Sequence, residues 1–231
     1  MQKNLVLKIA AIVSGISGLI IISSTIYPFM SYNLVSNKKF PDLISPVPQK
    51  ESTQVPTKEG SDYTRASNWF VGGAQKNDFE STKVAFYTLT IPKLRIEDAT
   101  VSVGGEDLSD SLIQYPGTAL PGKIGNSVIF GHSILPSFYN PRDYLAIFST
   151  LSSLDKGDEV IVYYDGVRYI FQVEDMFEVL PTDIQVLEQN QSYSYLTLVT
   201  CTPPGDPRKP KRLIIRAKIA PPDTANANFR S

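Results

Sequence analysis

A chain of 231 residues, 42% apolar and 19% charged, has the makeup of one globular domain with appendages rather than of a disordered polymer. Its net charge of −1 offers no basic footprint for nucleic acid. One cysteine and one histidine exclude both an intrachain disulfide and a zinc site built on several Cys and His ligands.

The first element is a run at residues 9–30, IAAIVSGISGLIIISSTIYPFM, which carries no charge. As a helix it would extend about 33 Å at ~1.5 Å per residue, enough to cross a bilayer core. Tyr27 and Phe29 stand at its far end, where interfacial aromatics collect. Lys3 and Lys8 precede the run and Lys38 and Lys39 follow it. The reading places the N-terminus inside and the rest of the chain outside, in a single-pass protein of the cell membrane. A cleavable signal peptide is the rival reading, but the run is long for a signal core and no A-x-A site follows. Residues 1–30 are therefore assigned to a cytoplasmic end and transmembrane anchor.

Residues 31–83 read as an extracellular stalk, with Pro41, Pro46, Pro48 and Pro56 spread among Ser, Thr, Lys and Glu. Trp69, Phe70 and Val71 are apolar enough to cover part of a domain surface. From residue 84 the pattern changes to short strand-like runs: 84–91, 99–103, 126–132, 159–164, 167–173, 195–201 and 212–219. Asp165-Gly166 between two of them is a strong hairpin signal. Short helices are expected over 107–114 and 143–151. The pattern predicts an all-β barrel or sandwich over 84–219, with a loose tail at 220–231.

The chemistry concentrates at the end of one of these strands. Thr197-Leu198-Val199-Thr200-Cys201 runs into Thr202-Pro203-Pro204-Gly205, so the thiol sits where the chain must leave the sheet. A rigid strand aims such a nucleophile while the loop leaves room for substrate. A free thiol titrates near ~8.5, so little of it is thiolate at neutral pH without help. His132 is the one imidazole available to share its proton. Arg212 opens the next strand, and antiparallel pairing across a loop of about ten residues brings it beside Cys201. A guanidinium there can donate to a developing oxyanion. Arg216 shares its strand parity and is the competing choice, and Arg208 lies in the loop. Taken singly, a lone cysteine is most often a small buried hydrophobe, a lone histidine a structural donor, and an arginine a surface charge.

The combination resembles the sortase family. Thr197-Leu198-Val199-Thr200-Cys201 matches the TLxTC signature, and Arg212 in KRLIIRA matches the family arginine. Gly125-Asn126-Ser127-Val128-Ile129-Phe130-Gly131-His132 is similar to the strand bearing the family histidine. Tyr87-Thr88-Leu89-Thr90-Ile91-Pro92-Lys93-Leu94 and Pro116-Gly117-Thr118-Ala119-Leu120-Pro121-Gly122 resemble family segments upstream. The resemblance runs from about residue 87 to 219 and implies an eight-stranded barrel with short helices.

It also implies a cysteine transpeptidase that cleaves an LPxTG-like sorting signal through a Cys201 thioester. His132 handles the protons and Arg212 stabilises charge. Thr200 is assigned to substrate binding, its plainer reading being a strand residue with no direct role. The implied partners are surface proteins or pilins bearing that signal, and an amine acceptor on a cell-wall precursor or a lysine. The resemblance implies neither a cofactor nor a permanent Cys–His ion pair. Some relatives bind calcium, but Asp183 and Glu188 alone do not form a ligand set. Pilin-type relatives often carry an inhibitory lid ahead of the barrel; Asn68-Trp69-Phe70 stands there without a clear lid motif. The alternative from another class is a non-catalytic anchored β-domain that binds a wall component or partner. A papain-like protease is disfavoured because there Cys precedes His in the chain.

Overall fold

The computed structural model describes residues 2–40, 62–74, 76–80, 85–189 and 192–221. Two compact units result, residues 1–39 and residues 40–231. The first is one helix, α1 (Gln2–Lys39). Its window Leu7–Ser24 has mean hydropathy 1.9 and buries none of its residues, so α1 is long and apolar enough to cross a membrane.

The second unit is a closed barrel. In chain order its strands are β1 (Ala85–Ile91), β2 (Ile96–Val103), β3 (Leu112–Gln114), β4 (Gly125–Phe130), β5 (Glu159–Tyr164), β6 (Val167–Val179), β7 (Ser194–Thr202) and β8 (Lys211–Ile219). Around the barrel they run β1-β2-β3-β4-β7-β8-β6-β5, and β5 pairs back onto β1. β2–β3 and β4–β7 are parallel pairs, and the other neighbours are antiparallel. The β5–β6 hairpin turns at Asp165 and Gly166 with φ of 51° and 73°, the positive pair that a type I′ turn demands.

Strand alternation separates two apolar clusters. Leu196 and Leu198 of β7 and Leu213, Ile215 and Ala217 of β8 point into the barrel with Ile129, Val162 and Phe171. The opposite faces of these strands present Val199, Cys201 and Ile214 to a second cluster outside the barrel. That cluster includes Val128 and Phe130 of β4, Phe177 and Val179 of β6, and Val186 of the β6–β7 loop. Residues from upstream of the barrel, Ala66, Trp69, Phe70 and Phe79, complete it.

The structure departs from the sequence reading in four places. Residues 107–114 are not helical: Asp107 Oδ1 accepts from the backbone N–H and hydroxyl of Ser109, and Leu112–Gln114 then pairs as β3. The 108, 112, 113 apolar spacing that suggests a helix instead places Leu112 in the barrel core and Leu108 and Ile113 in the outer cluster. Residues 143–151 form successive turns, because the Phe148 N–H that an α-helix would use internally donates to the His132 carbonyl. β6 continues to Val179, past Glu174 and Asp175, through a bulge between Val173 and Asp175. The stretch read as a stalk over 31–83 is structured at both ends, where described: α1 reaches Lys39, and residues 62–74 and α2 (Lys76–Glu80) contribute buried aromatics to the outer cluster. Residues 41–61 and 222–231 lie outside the described residues.

Candidate active site

Register sets the geometry. Cys201 of β7 lies directly across from Arg212 of β8. On its other side β7 runs parallel to β4, with Val199 beside Phe130. The alignment continues past the end of β4: Gly131 N–H donates to Val199 O, and the Thr200 hydroxyl donates to Gly131 O at 2.8 Å. The Ser133 hydroxyl donates to Cys201 O at 2.7 Å. Two residues beyond Phe130, His132 therefore stands level with Cys201 on the outer face. Arg212, Cys201 and His132 lie abreast on neighbouring chain segments, whose spacing is about 4.8 Å in a sheet.

Packing fixes the histidine segment. A Cβ on Gly131 would fall 2.4 Å from Phe148 Cδ2 and 2.6 Å from Leu112 Cδ2, so no larger residue fits before His132. The His132 carbonyl is held by Phe148 N–H at 2.9 Å, and Ser149 Oγ accepts from Ile134 N–H at 2.9 Å.

All three side chains are buried, yet on the outer face of the barrel: Cys201 and Arg212 are each 1% exposed and His132 4%. The cover is residues 62–74. Trp69, fully buried, stacks on Phe130 at 5.0 Å and tilts against His132 at 5.9 Å between ring centroids. Its carbonyl accepts from Arg212 Nε at 3.1 Å and Nη2 at 2.9 Å. The guanidinium carbon stands 5.6 Å from the Trp69 ring and 5.5 Å from that of Tyr63. Arg212 Nη1 donates to the carbonyls of Lys209 and Lys211.

Several anchors hold the cover. Arg65 pairs with the buried Glu106 at 2.6 Å. Leu108 N–H donates to Thr64 O, Val71 N–H to Pro181 O, and the Trp69 indole to Tyr63 O. Ala74 N–H donates to the Tyr115 hydroxyl.

The family model for the sortase domain matches residues 89–220, more than half of the chain, spanning β2 to β8 and the last three residues of β1. The chain belongs to the sortase family. It is 32% identical over 73 residues to sortase A of Streptococcus agalactiae serotype III, a match covering 32% of this chain and 28% of that protein's length. Among solved structures, it resembles sortase A from Corynebacterium diphtheriae, a lid mutant, at 25% identity and a TM-score of 0.53, covering 64% of this chain and 77% of that one. A sortase D5 transpeptidase from Clostridium perfringens gives 25% identity and a TM-score of 0.50, over 59% and 79%.

Within this sortase fold the imidazole is held neutral. Burial, and secondarily the positive charge of Lys209, lower the His132 pKa from 6.5 to about 4, against weaker pulls from Asp107 and Asp62. Among the described residues its Nε2 has no hydrogen-bond partner although it is buried. Such an orphaned group is rare in a native interior and is a common mark of a reactive site.

The other residues weighed from sequence fall elsewhere. Thr200 pairs with Leu213, so its side chain belongs to the inner face, and its hydroxyl is spent on Gly131 O. It holds the His132 segment against β7, as the plainer reading of a strand residue has it. Arg216 lies opposite Thr197, about 13 Å along the strand from Cys201 at ~3.3 Å per residue. Arg208 is exposed and bonded to Asp206. Asp183 accepts from Leu180 N–H. Sequence reasoning noted Trp69 as a surface cover, and as standing where some relatives carry a lid, without linking it to Arg212. Its link to Arg212 runs through a main-chain carbonyl, which leaves no mark on residue type.

Proposed function

We propose that this chain is a membrane-anchored cysteine transpeptidase that joins a sorting-signal protein to an amine. The observation that carries the reading is the alignment of Arg212, Cys201 and His132 on one face. The Cys201 sulfur attacks the carbonyl carbon after the threonine of an LPxTG-like peptide, and the thiol proton passes to His132. The N–H donors of Arg212 meet the developing oxyanion, where such donors contribute several kcal/mol to the barrier. Collapse breaks the peptide C–N bond, and His132 returns its proton to the leaving amine, leaving a thioester. An incoming amine gives a proton to His132 as it displaces the sulfur, which is reprotonated to the thiol.

The substrates are surface proteins or pilin subunits with a C-terminal sorting signal. The acceptor is an amine on a cell-wall precursor or a lysine. α1 anchors the enzyme with the barrel on the extracellular side, in keeping with Lys3 and Lys8 ahead of the apolar run.

The resting site is closed. The Trp69 carbonyl occupies the donors that the oxyanion would use, and the Trp69 ring covers His132. Reaction therefore requires residues 62–74 to move, and movement both frees Arg212 and rehydrates the imidazole.

The test is transfer chemistry. The full chain in detergent micelles, with and without Trp69→Ala, is incubated with a sorting-peptide library and triglycine. Mass spectrometry is expected to show an acyl adduct on Cys201 and a triglycine-linked product, both absent in Cys201→Ala. His132→Ala and Arg212→Ala are expected to lower turnover at least a hundredfold. Full activity in any of these three variants contradicts the assigned roles.

A further inference from the structure

We infer that Gln189 is a positioning residue that straps the β6–β7 loop into a preformed wall of the peptide groove, and so sets peptide affinity rather than chemistry. This rests on the proposed function above. Gln189 Oε1 accepts from Ala119 N–H at 3.1 Å and Asn126 N–H at 3.0 Å, and Nε2 donates to Asn126 O at 3.1 Å and Leu187 O at 3.0 Å. The amide has two donor hydrogens and two acceptor lone pairs, and all four are used. Two N–H groups face the oxygen and two carbonyls face the nitrogen, so the flipped orientation is excluded.

Asn126 completes the strap. Its Nδ2 donates to Val186 O at 3.1 Å and Glu188 O at 3.4 Å, while its Oδ1 accepts from the Thr197 hydroxyl at 2.7 Å. Thr197 lies on β7, four residues before Cys201 and on the same face. The loop is thus bonded to the strand that carries the thiol. Gly125 marks how tight the junction is: with φ at +136°, a Cβ there would fall 2.5 Å from Ala119 Cβ and 2.9 Å from Gln189 Oε1.

What the strap holds is part of the site. Val186, 4% exposed, packs in the same outer cluster as Val199 and Cys201. Pro181 O, at the loop's start, receives Val71 N–H of the covering segment. A polar cavity of about 270 Å³, lined by Asn126, Gln185, Gln189, Tyr195 and Arg216 among others, lies against the strap. An unstrapped loop would have room to shift there and carry Val186 out of the groove. A fixed loop spares an incoming peptide the entropy of ordering it, which is how preorganisation raises affinity.

The experiment compares the full chain in micelles with Gln189→Ala and Gln189→Glu. Hydrogen exchange is read first, without substrate. In Gln189→Ala the amides of Ala119, Asn126 and residues 180–189 are expected to exchange at least tenfold faster, with the β7 amides unchanged. Transfer kinetics are read second: KM for an LPxTG-type peptide is expected to rise about tenfold with kcat within twofold. Gln189→Glu keeps the two accepted bonds but sets a carboxylate oxygen against the Asn126 and Leu187 carbonyls, so it should loosen the loop as well. Unchanged loop exchange, faster exchange throughout the barrel, or a loss in kcat with KM preserved each overturns the inference. If the unsubstituted chain transfers no peptide, the proposed function fails, and the exchange measurement still decides whether Gln189 holds the loop.

Discussion

His132 is the chain's single imidazole, so its titration can be followed by NMR without overlap. Its pKa of about 4 in the closed site lies below the ordinary 6.5, so the unfolded chain binds the proton more readily. The resulting stability is fully present above about pH 6.5 and is lost as pH falls toward 4. Thermal denaturation between pH 7 and pH 4 should show the midpoint falling across that window. The fall should vanish in His132→Gln if this ring is its source. Because burial is the main cause of the depression, Trp69→Ala should move the NMR titration upward by at least one unit. A titration left near 4 would mean that the Trp69 ring is not what dries the site. That Cys201, His132 and Arg212 lie side by side was legible in the sequence, because each is a rare or strand-terminal residue in a recognisable motif. Thr200 was harder to place, for the complementary reason. A signature shows that a residue is needed without showing which face of the strand it occupies, and here pairing with Leu213 turns it inward.

At the scale of elements, the covering segment governs access to the thiol. Cys201 is the only cysteine, so its reaction with a maleimide reports opening directly. Truncating a buried aromatic costs about 3–5 kcal/mol where the site cannot collapse. Trp69→Ala should therefore raise the labelling rate at least tenfold. Arg65→Ala strands the Glu106 carboxylate, 6% exposed, without the pairing seen at 2.6 Å, and should raise labelling several-fold. Equal rates in all three proteins would show that the segment does not limit access. Seven of the eight strands were readable as apolar or alternating runs bounded by turn signals. The eighth, β3, has three residues, too few to register as a run. Residues 143–151 carry a helical apolar rhythm, but one backbone N–H is claimed by His132 and the run breaks into turns. Residues 62–74 looked like linker because their neighbours are Pro, Ser and Thr. Trp69, Phe70 and Phe79 find burial only against strands that are distant in sequence.

The whole molecule joins an apolar helix to a barrel that forms its own compact unit. The full chain should sediment with lipid vesicles, and a chain lacking residues 2–39 should remain in the supernatant. Its barrel should keep its midpoint within a few degrees. Flotation of the shortened chain with lipid would place membrane affinity outside α1. The apolar helix was visible in the sequence as composition, the β-rich domain as period, and its closure into a barrel only through the family motifs. The closed state of the site was not, since it depends on contacts between residues 69 and 212.

Under the proposed mechanism, the Trp69 carbonyl on the Arg212 fork competes with the substrate for the same donors. A tethered rival acts at an effective concentration in the millimolar range, which a free peptide must match before it can occupy the same donors. Measured affinity is then the intrinsic affinity scaled by the fraction of molecules standing open. A substrate tethered near the barrel would reach the same effective concentration, whereas a short soluble peptide does not. Assays with short free peptides should therefore understate how readily the protein handles a tethered substrate.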